Sequence, residues 1–271
     1  MGHKMVKSRI VVPELDYEKA SDGIVEFIRK VVNDARCEGV VLGLSGGVDS
    51  SLVATLCVKA LGNSRVLGVL MPTDFTPQED IEDALELANM LGIETRRADV
   101  QSICEAFSEA LRKDRCKPEQ KIPVANVLAR IRMIILYYYA NLKNYLVVGT
   151  GDRSESLIGY FTKYGDGGVD FMPICHLYKT QVRKLATHLG IPKSTAFKPS
   201  SPRLYPGHEA TDEIPVEYEK LDPVLVGLFD KKLPPEEVSE STGVPVDIVK
   251  EVQQCHARSK HKRAYPPTPR G

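Results

Sequence analysis

The spacing of hydrophobic and polar positions changes several times along the chain, and each change marks an element. Residues 16–36 place apolar side chains at helical spacing, which predicts an amphipathic first helix. Five short apolar runs follow, each continuing into a helical pattern: 40–42, 65–71, 94–100, 145–148 and 170–174. Strands that alternate with helices predict an α/β fold with a doubly wound parallel sheet of five strands, whose ligands bind at the strands' carboxyl ends.

Two of the helical segments carry more specific signals. Residues 76–79, Thr-Pro-Gln-Glu, match a capping box with proline at the first helical position, which predicts a helix to about Leu91. Residues 123–142 are apolar enough for a helix that is buried or faces another subunit. Further helical patterns occupy 178–189, 218–229, 235–242 and 246–257.

Length and composition limit the class of protein. The 271 residues favour one domain, 1–271, with a flexible arm at 1–15, a mobile loop at 193–215 and a basic tail at 258–271. Basic and acidic residues both number 36, and this zero net charge argues against nucleic acid or anionic membranes as partners. With no apolar stretch long enough to span a bilayer and no apolar signal-peptide core, the sequence predicts a cytoplasmic protein.

Cysteine spacing points to free thiols. The sequence has no Cys-x-x-Cys pair, which argues against both a zinc site and a disulfide framework. The six cysteines are Cys37, Cys57, Cys104, Cys116, Cys175 and Cys255.

A glycine- and serine-rich loop, GLSGGVDSS, follows the apolar run at 40–42 and leads directly into a helical pattern. Small residues with backbone N–H groups at a helix N-terminus form a pocket for phosphate. Asp49 would repel phosphates there unless it binds a hard cation such as Mg²⁺ between the two. The loop therefore predicts a nucleotide and metal site. Its residues are Gly43, Leu44, Ser45, Gly46, Gly47, Val48, Asp49, Ser50 and Ser51.

Two other phosphate loops do not fit this segment. The lysine of the GxxxxGK[ST] pattern is absent, and the GxGxxG fingerprint is not matched. The hexapeptide SGGVDS resembles the signature of the PP-loop ATP pyrophosphatases, which cut ATP between the α and β phosphates. A plain strand-to-helix turn would explain one glycine and one serine, but not the whole set.

A longer match lies in residues 147–181, which include GT, a glutamate, GYFTKYGDGGVD and LYKTQ. With NVLARIRM before them and HKR near the C-terminus, these segments resemble ammonia-dependent NAD synthetase over nearly the whole chain. The resemblance implies a PP-loop, adenine nucleotide alpha hydrolase-like fold with C-terminal helices. It also implies a ligase that amidates deamido-NAD with ammonia, using ATP and Mg²⁺, through an NAD-adenylate, giving NAD, AMP and pyrophosphate. Family members are homodimers.

The resemblance assigns roles to individual residues. It places Asp49 and Glu155 on Mg²⁺ and Lys179 on the ATP phosphates, which makes these three the catalytic candidates. Thr150 and Ser201 match ATP contacts, although bacterial relatives tend to have threonine at the second position. The residues that match contacts to deamido-NAD are Arg130, Lys163, Asp170, His261 and Lys262.

Simpler explanations stay open for these positions. Glu155 is also explained as an acid that complements a helix dipole, and Lys179 as a solvated lysine at a helix start. Thr150 and Ser201 equally suit local caps, and Asp170 suits an ordinary turn acid. In the same way, Arg130 suits a pair with a neighbouring acid, and the basic tail suits a solvated end.

Other functions remain as alternatives. The chain has no room for a fused glutaminase, so ammonia itself is the expected nitrogen donor unless a separate subunit delivers it. Another PP-loop enzyme, of the tRNA thiolase or GMP synthetase type, is one alternative, but paired cysteines and positive charge are missing. A non-catalytic nucleotide-binding module is the other, although such a module needs no metal-held pyrophosphate.

Overall fold

A computed structural model describes residues 9–112 and 121–269, without the side chain of Asp212. The strands are β1 (Gly39–Gly43), β2 (Val66–Leu70), β3 (Glu94–Arg97) and β4 (Tyr145–Val147). The first helices are α1 (Tyr17–Asp34), α2 (Val48–Leu61), α3 (Gln78–Leu91), α4 (Val100–Ala110), α5 (Lys121–Lys143) and α6 (Arg153–Ile158). The later ones are α7 (Lys179–His188), α8 (Lys193–Ala196), α9 (Tyr218–Leu225), α10 (Pro235–Thr242) and α11 (Val246–Arg258).

The sheet is parallel, with strand order β3-β2-β1-β4. Alternate residues of the central strand β1 face opposite layers: Val40 and Leu42 pack with α1, α2, α3 and α7, whereas Val41 packs with α4 and α5. Strand order reverses between β1 and β4, because the chain goes from β1 toward β2 and later returns to pair β4 on the other side. Ligands bind in the crevice at such a switch point, and the loops after β1 and β4 both open there.

The predicted fifth strand at 170–174 is wrong, since the described part of the sheet has four strands. An isolated parallel bridge joins this segment to the sheet, between Val148 and Phe171. The carboxylate of Asp170 accepts a hydrogen bond from Val147 N at 2.7 Å, which removes a strand donor from the ladder. Pro173 has no N–H to continue the pairing. The segment therefore caps the edge of the sheet instead of extending it.

The helix predictions hold better than their detailed caps. Asp16 caps α1 by accepting from Lys19 N at 3.2 Å, within the predicted segment. The predicted capping box at 76–79 is wrong: the Thr76 hydroxyl accepts from Thr73 N at 2.9 Å, and no side chain caps α3. Pro77 is the N-cap of this helix and not its first helical residue. Thr76 stabilises the preceding turn because the chain bends there to enter α3.

A second hydrophobic cluster lies outside the sheet. It is built by α9, α10 and α11, and the described part of the predicted arm packs on it through the buried Ile10. The chain passes from α9 into a π-helical turn, Val226–Asp230, before α10. Residues 1–8 of the predicted arm, residues 270–271 of the tail and Cys116 lie outside the described residues.

The described cysteines are all free, and Cys57 is the buried one. Burial alone raises the pKa of the Cys57 thiol to about 12. Among the described helices, none is long and apolar enough to cross a membrane.

Candidate active site

A cavity of about 530 Å³ opens at the switch point of the sheet, within the range typical of small-molecule sites. The loop after β1 forms its floor, and residues 148–151 after β4 form the facing wall. The glycine-rich stretch around 159–169, one side of α5, and residues 198–204 complete the lining. The two glycine-rich stretches singled out in the sequence therefore share one cavity.

The loop after β1 presents the uncapped N-terminus of α2 to this cavity. Gly47 is the N-cap residue, and no side chain bonds to the first turn of the helix. Gly46 has a φ of +75°, and a Cβ there would lie 2.2 Å from the Asp80 carbonyl oxygen, so a side chain does not fit. Orphan N–H groups and the helix dipole make this end a site for anions.

Lys179 lies at the centre of an acidic cluster at one side of the cavity. Its ammonium group is fully buried and donates to Asp49 Oδ2 at 2.7 Å and to Glu155 Oε1 at 2.9 Å. The Asp152 carboxylate lies 3.1 Å away. Lys179 is thus not a solvated lysine, although the loop after β1 and the start of α7 are 130 residues apart in sequence.

The ionisation of this cluster follows from burial and from its charges. Burial raises the pKa of Asp152 well above its ordinary value and also raises the pKa of Glu155, against the opposing effect of Lys179. Burial acts to lower the pKa of Lys179, but the three carboxylates together raise it well above its usual range. Lys179 is therefore charged at neutral pH, and its positive charge opposes the effect of burial on Asp152 and Glu155.

The chemistry of the cluster fits a hard cation. Asp49 Oδ1 is buried and accepts no hydrogen bond from the described residues, which is costly for a carboxylate oxygen unless a ligand satisfies it. Within the described residues, no group of three or more acids, histidines or cysteines is arranged to hold a metal alone. A cation bound by Asp49 would therefore need further oxygen ligands from a substrate or from water.

Glu155 caps the start of α6 and also faces Lys179. Its backbone N–H donates to Asp152 Oδ1 at 2.8 Å, and its Oε2 accepts from Asp152 N at 3.3 Å, which makes a capping box at the start of α6. The cap fixes the carboxylate so that Oε1 faces Lys179. Sequence reasoning missed Asp152, although the pattern Asp-x-x-Glu was a signal for it.

A buried network sets the position of Lys179. Asp222 on α9 accepts from the Ser154 hydroxyl at 2.6 Å and from Thr180 N at 2.8 Å. The same Ser154 oxygen accepts from Lys179 N at 3.0 Å. These bonds anchor the first turn of α7 to α6 and α9. No motif identified Asp222 or Ser154 in the sequence, because their roles depend on contacts between distant helices.

A second group of cations lies beside the glycine-rich stretch. Lys163 Nζ donates to the His261 carbonyl at 2.8 Å, and Arg130 donates to the Lys163 carbonyl at 3.3 Å. Lys262 donates to the carbonyls of Gly159 at 2.8 Å and Phe161 at 2.7 Å. Because carbonyls carry no formal charge, these three cations keep their positive charge for an anionic ligand. Of this group, Lys262 lines the cavity.

Of the other predicted site residues, some line the cavity and others lie below or beside it. Thr150 and Ser201 line the cavity, and the Ser201 hydroxyl donates to the His208 carbonyl within its own loop. Ser51 is buried below the loop after β1, where its hydroxyl donates to Gly47 O at 2.9 Å. Asp170 binds Val147 N and accepts from Tyr137 OH at 3.1 Å, so the structure gives it a part in the fold. Their substrate contacts stay predictions.

The cavity wall also contains charged residues that sequence reasoning did not assign. Asp80, which is buried, pairs with Lys198 Nζ at 2.7 Å and with Arg203 Nε at 2.8 Å, and so joins α3 to the segment 198–204. Asp166 lines the cavity, and burial raises its pKa. Its backbone partner is Thr162 N, at 2.9 Å. The only sequence signal for Asp166 was its place in the glycine-rich stretch.

The comparison with known families agrees with this site. A model described as NAD synthase matches residues 21–266. This chain belongs to the NAD synthase family. A protein named NH(3)-dependent NAD(+) synthetase from Hyperthermus butylicus is 50% identical over 257 residues, which cover 94% of this chain and 92% of that protein. A NAD synthase family member with the same name, from Pyrobaculum aerophilum, is 55% identical over 239 residues, 88% of either chain.

Solved structures that are named NMN or NAD synthetases share the fold. An NMN synthetase from Francisella tularensis has a TM-score of 0.83 and 33% identity, covering 94% of this chain and 99% of that one. An NH3-dependent NAD synthetase from Campylobacter jejuni has a TM-score of 0.78 and 32% identity, covering 95% and 100%. A glutamine-dependent NAD+ synthetase from Acinetobacter baumannii, at 29% identity and a TM-score of 0.64, is matched over only 48% of its length.

Proposed function

We propose that this protein is an ammonia-dependent NAD synthetase, a ligase that amidates deamido-NAD and converts ATP to AMP and pyrophosphate. The observation that carries the proposal is that one cavity joins the uncapped N-terminus of α2, the Asp49–Lys179–Glu155 cluster and the cation Lys262. A triphosphate and a second anionic substrate therefore both have a place in the cavity. Relatives that are matched over more than nine-tenths of both chains carry names for this activity.

The first step activates a carboxylate, because a free carboxylate is a poor acyl donor. An oxygen of the deamido-NAD carboxylate attacks the α phosphorus of ATP, a new C–O–P link forms, and the bond to the β phosphate breaks. Backbone N–H groups at the start of α2 and the serine hydroxyls of its loop bind the departing pyrophosphate. Lys179 supplies positive charge beside Asp49 at the same end of the cavity.

The residues present fit a magnesium ion, which Asp49 and Glu155 would hold together with oxygens from ATP and water. When bound, Mg²⁺ would neutralise the charge that develops on the pyrophosphate. The buried Asp49 Oδ1, which has no hydrogen-bond partner among the described residues, supports this assignment.

The second step forms the amide. Ammonia attacks the carbonyl carbon of the acyl adenylate, the bond to AMP breaks, and the nitrogen releases a proton. The lone pair of ammonia supplies the new C–N bond, and AMP leaves with the electrons of the C–O bond.

An assay of AMP release tests this function. The purified chain should release AMP only when ATP, Mg²⁺, deamido-NAD and ammonium are all present. Glutamine alone should not replace ammonium, because the relatives matched over most of both chains are named NH3-dependent. Glutamine-driven turnover, or no turnover with ammonium, would contradict the proposal.

The substrate needs a separate comparison, since the Francisella relative is named an NMN synthetase. We expect deamido-NAD to react with a higher kcat/KM than nicotinic acid mononucleotide, because the cations at the glycine-rich stretch suit a pyrophosphate. If kcat/KM were higher for the mononucleotide, the proposed amidation would stand but the substrate would be nicotinic acid mononucleotide. A tRNA thiolase, a GMP synthetase and a non-catalytic module are not favoured by the family match.

The exposed face of α5 supports a homodimer as the working state. Ile134, Tyr138 and Leu142 follow one another at helical spacing and are each more than 60% exposed, with Phe107 of the neighbouring α4 also exposed. Apolar side chains grouped in this way mark interaction surfaces. A cytoplasmic location also remains part of the proposal.

The solution mass measures this expected dimer. Light scattering at micromolar concentration should give twice the mass of one chain, and Tyr138→Lys should lower it toward the monomer. The matched variant Tyr265→Lys changes a tyrosine that is 96% exposed in the tail, and it should leave the mass unchanged. A monomeric wild-type chain would contradict this assignment.

A further inference from the structure

Four lysine and arginine side chains within the described residues line the cavity, and three of them have polar partners. Lys198 and Arg203 both pair with Asp80. Lys262 donates to two backbone carbonyls. The fourth, Arg132 on α5, makes no hydrogen bond or ion pair with any residue in the ranges 9–112 and 121–269. A cation in the cavity wall thus has no hydrogen-bonding or ion-pair partner among the described residues.

The surroundings of Arg132 do not neutralise it. Burial lowers the pKa of Arg132 to about 10, so the guanidinium is still charged at neutral pH. The ionisable groups that act on it are Cys104 and Asp166, and neither forms an ion pair with it. Burial raises the pKa of the Cys104 thiol, which is therefore uncharged at pH 7. A partly desolvated charge without a partner is unfavourable, and an anionic ligand would relieve that penalty.

The proposed substrates carry three anionic groups, and two already have a place. The ATP phosphates face the N-terminus of α2 and Lys179. The pyrophosphate of the dinucleotide suits Lys163 and Lys262, which carbonyls hold at the glycine-rich stretch. The remaining anion is the carboxylate on the pyridine ring, which is the group that reacts. The remaining cation in the cavity wall is Arg132.

We propose that Arg132 binds the pyridine carboxylate of deamido-NAD and positions it for adenylation. This inference rests on the proposed function. A guanidinium presents two parallel N–H donors that match the two oxygens of a carboxylate. The product NAD carries a neutral carboxamide at that position, so the interaction weakens once the amide has formed. Arg132 therefore distinguishes substrate from product and assists product release.

Equilibrium binding of deamido-NAD and NAD tests the proposal, because the two ligands differ only in this group. Calorimetry without ATP should show that the wild-type chain binds deamido-NAD about 10- to 100-fold more tightly than NAD, the range for one charge-assisted pair. Arg132→Gln should weaken the binding of deamido-NAD by that factor and leave the affinity for NAD within about twofold of the wild-type value. The KM for ATP should also stay within about twofold.

Two further variants make the result specific. Arg132→Lys keeps the charge but lacks the planar pair of donors, and it should give an intermediate loss for deamido-NAD. It also provides a second measurement if Arg132→Gln does not fold. Arg29→Gln removes a guanidinium that binds the Ala60 carbonyl at 2.8 Å away from the cavity, and it should leave the preference for deamido-NAD intact.

Several outcomes would overturn the assignment. Equal weakening of both dinucleotides by Arg132→Gln would place Arg132 on a group that they share, such as the pyrophosphate. If Arg132→Gln changed only the KM for ATP, Arg132 would bind the nucleotide instead. If the wild-type chain bound deamido-NAD and NAD equally well, Arg132 would not recognise the carboxylate. Wild-type turnover of deamido-NAD with ammonium, measured separately, shows whether the proposed function itself fails.

Discussion

Replacing Asp49 by Asn is expected to reduce adenylation by roughly 100- to 1000-fold, the loss seen when one group that stabilises transition-state charge is removed. Asn keeps the shape of the side chain but removes the charge that would hold Mg²⁺ beside the departing pyrophosphate. The fold should persist, because Lys179 retains Glu155 at 2.9 Å and Asp152 at 3.1 Å. Exchange of labelled pyrophosphate into ATP, with deamido-NAD and no ammonium, measures this step alone.

The matched control for Asp49→Asn is Asp34→Asn. Asp34 pairs with Lys30 at the exposed end of α1, away from the cavity, so the exchange rate should not change. Circular dichroism and the melting temperature should show that both variants are folded. Adenylation at the wild-type rate in a folded Asp49→Asn chain would mean that the proposed metal site does not serve the reaction.

Replacing Lys179 by Met is expected to destabilise the protein and to abolish its activity. The change removes the buried cation that lies within 3.1 Å of three carboxylates. Removing one partner of a buried ion pair costs about 3–5 kcal/mol, because the charge left behind stays buried. Urea unfolding at pH 7 measures this loss as a lower midpoint.

The pH dependence of Lys179→Met distinguishes this explanation from a simple packing defect. Burial already raises the folded-state pKa of Asp152 and Glu155 above their ordinary values of 3.8 and 4.5, and loss of the cation raises it further. At a pH between the ordinary and the raised pKa values of these two carboxyls, the unfolded state then binds fewer protons than the folded state. The stability of the variant should therefore fall as the pH rises from about 4 toward 7.

The control for this effect is Lys30→Met, which breaks an exposed pair at 2.7 Å. Exposed pairs contribute little because water screens them, so both the midpoint and its pH dependence should stay close to the wild-type values. If Lys179→Met unfolds at the wild-type urea concentration and shows no added pH dependence, the cluster does not depend on this cation.

Local signals in the sequence were sufficient for much of the fold. The helical period of residues 16–36 predicted α1, and the apolar runs predicted β1 to β4 to within a few residues. The alternation of strands and helices gave the parallel sheet and the end at which ligands bind. These features depend on neighbouring residues, since the spacing of apolar side chains and the chemistry of turns can be read within a short stretch of sequence.

The predictions that failed were overturned by side-chain hydrogen bonds, one between separate segments and one within a single turn. A fifth strand was predicted because 170–174 is apolar enough, but the Asp170 carboxylate takes the Val147 N–H that a strand partner would need. The capping box at 76–79 failed because Thr73 competes for the Thr76 hydroxyl oxygen. The spacing of hydrophobic residues reveals neither of these two hydrogen bonds.

The loop after β1 was recognised from sequence alone, since its glycines, serines and Asp49 predict a phosphate pocket by their chemistry. Only the folded chain determines what surrounds that pocket. Lys179, Asp152 and Glu155 come together with Asp49 because the loops after β1 and β4 open at one switch point, and because Asp222 anchors α7 across the C-terminal helices. The interaction between charged groups depends on their distances and on their burial. Both are set by the path of the folded chain and not by the order of its residues.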